Sequence, residues 1–275
     1  MRVAFLGPQA SFSHEAALKI FPNEELIPVD IIQNVFTHVA NTTVDAGVIP
    51  LENSTEGSVT STLDALADTK LMVCAELLLD IHQCFLSNEK DRGAIKRIYS
   101  HPQGFAQCRK WIEKNYPNAE LVESSSTAKA AQRASKESAC GAIASETAST
   151  KFGVALLEKN INDISSNKTR FVVLMQRDAA KAFASAHKGS KPKTSILFAV
   201  KDKPGALFDA IKSFKEFGVN MSKIESRPSK RNAWEYIFFV DIDGMVGEGK
   251  IDSALLELNN HCEFVKVLGS YYRVE

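Results

Sequence analysis

Residues 71–86 read LMVCAELLLDIHQCFL, an almost wholly apolar run. It is about three times the length of an ordinary strand of roughly five residues. A bent strand or a crossover between two lobes would accommodate it. A crossover splits the surrounding region into two lobes with a cleft between them, and such clefts are where small ligands bind.

Working outward, residues 2–176 alternate strand-like apolar runs with helix-like segments, which is an α/β pattern. Strands are expected at RVAFL (2–6), LIPVD (26–30), VDAGVIP (44–50), IKRIYS (95–100), AELVES (119–124), GAIAS (141–145) and RFVVLM (170–175). Helices are expected to begin near Ser13, Ile31, Ser58, Pro102, Thr127 and Glu146. QRDAAKAFASAHKGSKPKTS (176–195) loses strand periodicity, is rich in Lys, Ala and Ser, and reads as a domain linker. A second domain then begins near Lys193, with strand 194–200, helix 204–217, strands 219–227 and 233–242, helix 250–260 and strand 262–270. This βαββαβ order is the ferredoxin-like arrangement. Pro204 fits a first helical turn, and Leu207, Ile211, Phe214 and Phe217 share a face expected to pack on the sheet. The expected division is 1–180 and 193–275.

Lys+Arg 33 against Asp+Glu 33 gives no net charge, so no global field draws the protein to nucleic acid or to an anionic membrane. No run reaches the ~18 apolar residues of a membrane helix, MRVAFLGPQ is too short in apolar length for a signal peptide, and a cytoplasmic location is expected. Cys74, Cys84, Cys108, Cys140 and Cys262 are widely spaced, mostly within apolar segments, and read as reduced thiols. Cys108 lies at helical spacing from Phe105 and Trp111, which suits a packed face better than a nucleophile. His14, His38, His82, His101, His187 and His261 have no metal-ligand spacing, so no metal is expected. GMVGEGKI (244–251) satisfies part of a phosphate-loop pattern, but Ile251 stands where a magnesium-binding hydroxyl belongs. It reads as a glycine-punctuated loop.

Five strand ends run into clusters of hydroxyls, amides and glycines: GPQASFSHEA (7–16), PLENSTEGSV (50–59), SHPQGFAQC (100–108), SSSTAK (124–129) and NKTRF (167–171). Several open into helices, whose N-terminal amides favour anions. Any one cluster is most simply a helix cap. Five together, with almost no lysine, point to a site for a small polyanionic carboxylate. Glu52 is either a solvated acid or a hydrogen-bonding group beside Asn53 in the cleft. Arg170 is a carboxylate ligand by its chemistry, with a structural salt bridge as the alternative.

Taken in order, these stretches, with VIPLENSTEGSV, IYSHPQGFAQC, SSSTAKAA and GAIAS, resemble the prephenate dehydratase family over most of residues 1–176. KPGALFDAI (203–211) and IESRPSK (224–230) resemble the regulatory ACT module of those enzymes. The resemblance implies a two-lobed, periplasmic-binding-protein-like α/β catalytic domain followed by a ferredoxin-like ACT domain. It implies conversion of prephenate to phenylpyruvate, water and CO2 in phenylalanine synthesis, without a cofactor. It assigns catalysis to Thr169, Glu52, Asn53, Ser100 and Gln107, while Arg170, Ser11, Ser54, Thr55 and Ser126 are expected to hold the substrate. L-phenylalanine is expected as effector at Gly205, Ala206, Leu207, Glu225, Ser226 and Arg227, in a homodimer or homotetramer. Arogenate as substrate, and a non-catalytic two-lobed binding protein, are the alternatives.

Overall fold

The computed structural model describes residues 1–229 and 235–274. Its first lobe opens with β1 (Arg2–Leu6), α1 (Phe12–Ile20), β2 (Glu25–Val29), α2 (Ile32–Ala40) and β3 (Ala46–Asn53). A two-residue strand β4 (Gly57–Ser58), helix α3 (Thr60–Asp68) and β5 (Met72–Asp80) follow. The 71–86 run then breaks as a crossover: β5 ends at Asp80, and β6 (Cys84–Leu86) belongs to a different sheet.

The second lobe continues with β7 (Arg97–Ser100), α4 (Pro102–Gln107), α5 (Arg109–Asn115), β8 (Glu120–Glu123), α6 (Thr127–Ala134), β9 (Cys140–Ala144), α7 (Glu146–Phe152) and β10 (Leu156–Glu158). Its five strands are ordered β10-β6-β9-β7-β8. The chain then returns to the first lobe as β11 (Lys168–Met175), which lies antiparallel between β3 and β5. Two crossings between two sheets leave a cleft between the lobes.

The expected linker is instead helix α8 (Arg177–Ala186), with Ala180 and Ala184 buried. Its Lys- and Ala-rich composition suggested a spacer, but those two alanines recur at a spacing of four, which is one face of a helix. The next strand, β12 (Ser190–Ala199), starts three residues before Lys193 and carries a register shift around Pro192, where a ladder tolerates proline. After it come α9 (Ala206–Glu216), β13 (Met221–Pro228), β14 (Tyr236–Asp243), α10 (Gly249–His261) and β15 (Phe264–Val274). Pro204 lies ahead of α9 rather than in its first turn, because Gly205 at φ +81° forms the N-cap. Phe214 is buried against the sheet, but Phe217, one residue past the helix, is exposed.

The βαββαβ segment does not hang from a tether. β15 pairs in parallel with β5, so β13-β14-β12-β15-β5-β11-β3-β1-β2 form one continuous sheet, with β4 paired to β3. Gly269 makes the junction possible, since a Cβ there would come within 2.1 Å of the Val73 carbonyl oxygen. α9 and α10 cover one face of the C-terminal strands through Phe214, Ile251 and Leu258. The other face packs Leu197, Phe239, Leu268 and Tyr271 into the same core as Leu63 and Leu66 of α3.

Candidate functional site

A cavity of about 350 Å³ opens between the two lobes. The first lobe contributes Ser11, Ser13, Pro50, Asn53, Thr169 and Phe171, and the second contributes His101, Gln103, Gln107, Ser126 and Thr127. Gln83, in the crossover itself, lies against both.

Three helices begin at this cavity. Ser11 caps α1 by accepting from the His14 amide at 3.3 Å, and Ser126 caps α6 by accepting from the Lys129 amide at 3.1 Å. His101 caps α4, its Nδ1 accepting from the Gln103 amide at 3.2 Å. That leaves the far ring nitrogen to carry the hydrogen of a neutral imidazole. Among the described residues the lining contains no lysine or arginine. Attraction for an anion must come from helix ends and neutral donors, each end equivalent to roughly half a positive charge.

β3 and β11 place Asn53 directly opposite Thr169, at the point where the two strands leave the sheet. Asn53 Oδ1 accepts from the Thr55 amide at 3.0 Å, the Thr55 hydroxyl at 2.6 Å and the Glu56 amide at 3.2 Å. Three donors on one oxygen fix which way the carboxamide faces. Its Nδ2 therefore donates to Thr169 Oγ1 at 2.9 Å and to Asn167 Oδ1 at 2.8 Å. With a lone pair of Thr169 so engaged, the hydroxyl hydrogen is left for a group in the cavity. Across the cleft, Gln83 Nε2 donates to Gln107 Oε1 and Gln107 Nε2 donates to Glu56 Oε1, each at 3.1 Å.

Strand alternation turns the next pair the other way. Arg170 pairs in register with Glu52, and both point to the C-terminal segment rather than into the cavity. Arg170 is buried, with Nε 2.7 Å from Glu76 Oε2, Nη1 bonded to Asp241 and Nη2 donating to Tyr271 at 2.8 Å. Glu52 accepts a 2.8 Å ion pair from Lys223 and lies 3.9 Å from Arg170. Burial opposes the charge on Glu76, yet Arg170 and Lys193 outweigh it and hold that carboxyl below its ordinary value. Asp241 is likewise buried and still depressed, through Arg170 and the Ser195 hydroxyl. Arg170 stays charged despite desolvation because Tyr271, Asp241 and Glu76 surround it.

Of the ten residues expected at the substrate, Ser11, Asn53, Gln107, Ser126 and Thr169 line the cavity. Arg170 and Glu52 face away from it, so their geometry is that of a buried salt-bridge network. Ser100 is fully buried beneath α4 and donates to the Ile143 carbonyl at 3.0 Å, which makes it a support for that helix start. Ser54 accepts from the Lys168 amide at 2.9 Å and Thr55 is spent on Asn53, so both brace the turn after β3. Gln83 also lines the cavity and lay outside the five clusters, while His101 and Gln103 stood within SHPQGFAQC without being singled out. Gln83 carried a signal, as an amide within the apolar crossover. Cys108 is buried between α4 and α5, and burial pushes its thiol up, as suits a packed side chain.

In the C-terminal segment, Gly205, Ala206 and Leu207 form the start of α9. Glu225 accepts from Ser58, and Arg227 donates to Asp64 at 3.1 Å, so both reach across to the first lobe. Ser226 alternates to the other face and is exposed, while Lys230 of the IESRPSK stretch lies outside the described residues.

A family model for prephenate dehydratase matches residues 3–179, and one for the ACT domain matches residues 194–258. The bifunctional chorismate mutase/prephenate dehydratase of Aquifex aeolicus is 42% identical over 272 residues, which are 98% of this chain and 73% of that protein. The prephenate dehydratase of Methanocaldococcus jannaschii is 35% identical over 275 residues, 98% of this chain and 97% of that one. The crystal structure of prephenate dehydratase from Arthrobacter aurescens in complex with L-Phe superposes with a TM-score of 0.89 at 33% identity, covering 99% of this chain and 90% of that chain.

Proposed function

The chain belongs to the prephenate dehydratase family, and from that premise we propose that it converts prephenate to phenylpyruvate, water and CO2. The observation that carries this reading is the Asn53–Thr169 pair in a cavity that is ringed by three helix starts and has no lysine or arginine among its described lining residues. Prephenate brings two carboxylates and a ring hydroxyl. The helix starts at Ser11, His101 and Ser126 suit the carboxylates. Thr169, its lone pair held by Asn53, suits the hydroxyl.

In the reaction the ring carbon–oxygen bond breaks while the bond to the ring carboxylate cleaves and its electron pair enters the ring. Carbon dioxide departs, the ring becomes aromatic, and the expelled hydroxyl takes up a proton from solvent to leave as water. Aromatisation supplies the driving force. Thr169 is too weak an acid to protonate the oxygen outright near neutral pH, so its contribution is a hydrogen bond that strengthens as charge develops there.

L-phenylalanine acts as effector through the ACT segment in this reading, at the turn of Gly205, Ala206 and Leu207. Glu225 and Arg227 supply the contacts to Ser58 and Asp64 through which occupancy reaches the first lobe. The effector site is shared between subunits of a homodimer or homotetramer, and the enzyme is cytoplasmic.

Purified protein incubated with prephenate is expected to generate the ultraviolet absorbance of phenylpyruvate, and millimolar phenylalanine to reduce the rate. A parallel incubation with arogenate separates the two dehydratases. No turnover of prephenate, with turnover of arogenate or binding alone, overturns the assignment.

A further inference from the structure

Asn167 stands one residue before β11, outside every role the reaction needs so far. It is 2% exposed, and its carbonyl oxygen accepts from the Ile81 amide at 2.9 Å, which ties its backbone to the end of β5. In extended chain, residues two apart share a face, so Asn167, Thr169 and Phe171 look the same way. Its Oδ1 takes one of the two Nδ2 hydrogens of Asn53, the other going to Thr169.

We propose that Asn167 is a positioning residue for the dehydration step: by accepting from Asn53, it fixes the amide that in turn fixes the direction of the Thr169 hydroxyl hydrogen. The donor count requires an acceptor there. Asn53 Oδ1 is saturated by the turn at Thr55 and Glu56, so its Nδ2 is presented with two hydrogens and needs two acceptors. Thr169 provides one. Without Asn167 the second hydrogen lacks a partner, and the amide gains from rotating toward another acceptor, releasing Thr169 to turn its own hydrogen away from the cavity. A second observation separates this from simple core packing. Asn167 Nδ2 is buried with no hydrogen-bond partner among the described residues. A residue kept for packing alone would not carry an orphaned donor, since an apolar side chain of similar size avoids that cost. Its acceptor oxygen is what the site uses.

This inference rests on the dehydratase reading. It is tested with Asn167→Ala, which removes the acceptor, and Asn167→Asp, which keeps an acceptor oxygen at the same place whether or not the acid is protonated. Turnover of prephenate is measured beside calorimetric binding of phenylpyruvate, which reports whether the cleft and fold are intact. Asn167→Ala is expected to lower kcat by about tenfold to a hundredfold, with phenylpyruvate affinity and KM changed by no more than about twofold. Asn167→Asp is expected to return kcat to within about threefold of the wild type. Loss of binding and turnover together in Asn167→Ala, as a folding defect produces, overturns the proposal. So does unchanged turnover, or an Asp variant no better than the Ala variant. A wild-type protein that does not consume prephenate refutes the functional reading instead, so the two failures are distinguishable.

Discussion

The two faces of the β3–β11 pair differ in nearly every physical respect. On the cavity face, Asn53 and Thr169 are neutral and linked by a single 2.9 Å hydrogen bond. On the opposite face, Glu52 and Arg170 join a charged network with Glu76, Lys223 and Asp241. Each member of one pair is adjacent in sequence to a member of the other. A substrate that is itself an anion gains little from a buried carboxylate beside it, and in the proposed reaction the leaving hydroxyl needs a hydrogen, which Thr169 would supply without adding charge. The back face holds the C-terminal segment in place, where charge is tolerable because every acid has a cation within reach. One ladder thus connects the candidate site to the ACT segment through two layers that share a backbone.

Breaking the back layer should produce the largest effect. Arg170→Met leaves Asp241 buried without its cation, and denaturant unfolding is expected to show a loss of about 3–5 kcal/mol. The pH dependence carries its own sign. Glu76 and Asp241 are held low in the folded wild type, so the stability they contribute is whole above the ordinary carboxylate range near pH 4 and is lost as pH falls through their folded values. In Arg170→Met the uncompensated Asp241 rises instead, and its folded form binds a proton before the unfolded chain does. The gap between wild type and variant should therefore narrow from about pH 7 to about pH 4. A constant gap would mean that Arg170 acts through packing alone.

Breaking the front layer should act chiefly on rate, with a stability loss no larger than the ~1–3 kcal/mol of one unpaired Asn53 hydrogen. Thr169→Ala is expected to lower kcat by about 10²–10³, while Thr169→Ser, which keeps the hydroxyl, retains more. Equal activity in the two variants would separate the hydroxyl from the chemistry. Glu52→Gln should give the smallest change. Glu52 is a third exposed and sits at the edge of the network, so its removal is worth at most about 1 kcal/mol. Without phenylalanine its kcat should stay within about threefold of wild type. A loss as large as that of Thr169→Ala would place Glu52 in the catalytic step and erase the contrast between the faces.

Much of this was legible in the residues. The alternation of strand runs and helix starts set out both lobes and the βαββαβ segment, because local periodicity follows directly from which side chains need burial, while the length of the 71–86 run left a bent strand and a crossover both open. The hydroxyl and amide clusters located the cavity, since helix caps must be polar wherever they fall. Residues 176–195 misled, as a Lys- and Ala-rich helix and a Lys- and Ala-rich spacer share a composition.

By itself the sequence determined most of the elements, their order, the helix starts that ring the cavity and the presence of Thr169 among them. Only the tertiary structure decided which neighbours in NKTRF and LENST work together. Pairing β3 with β11 in one register, rather than a register one residue away, places Asn53 on Thr169 and Glu52 on Arg170. It also brings Asp241, 71 residues beyond Arg170, against the back of the same ladder. Register and side are properties of the whole sheet, because a one-residue slip would exchange the two faces without altering a single side chain.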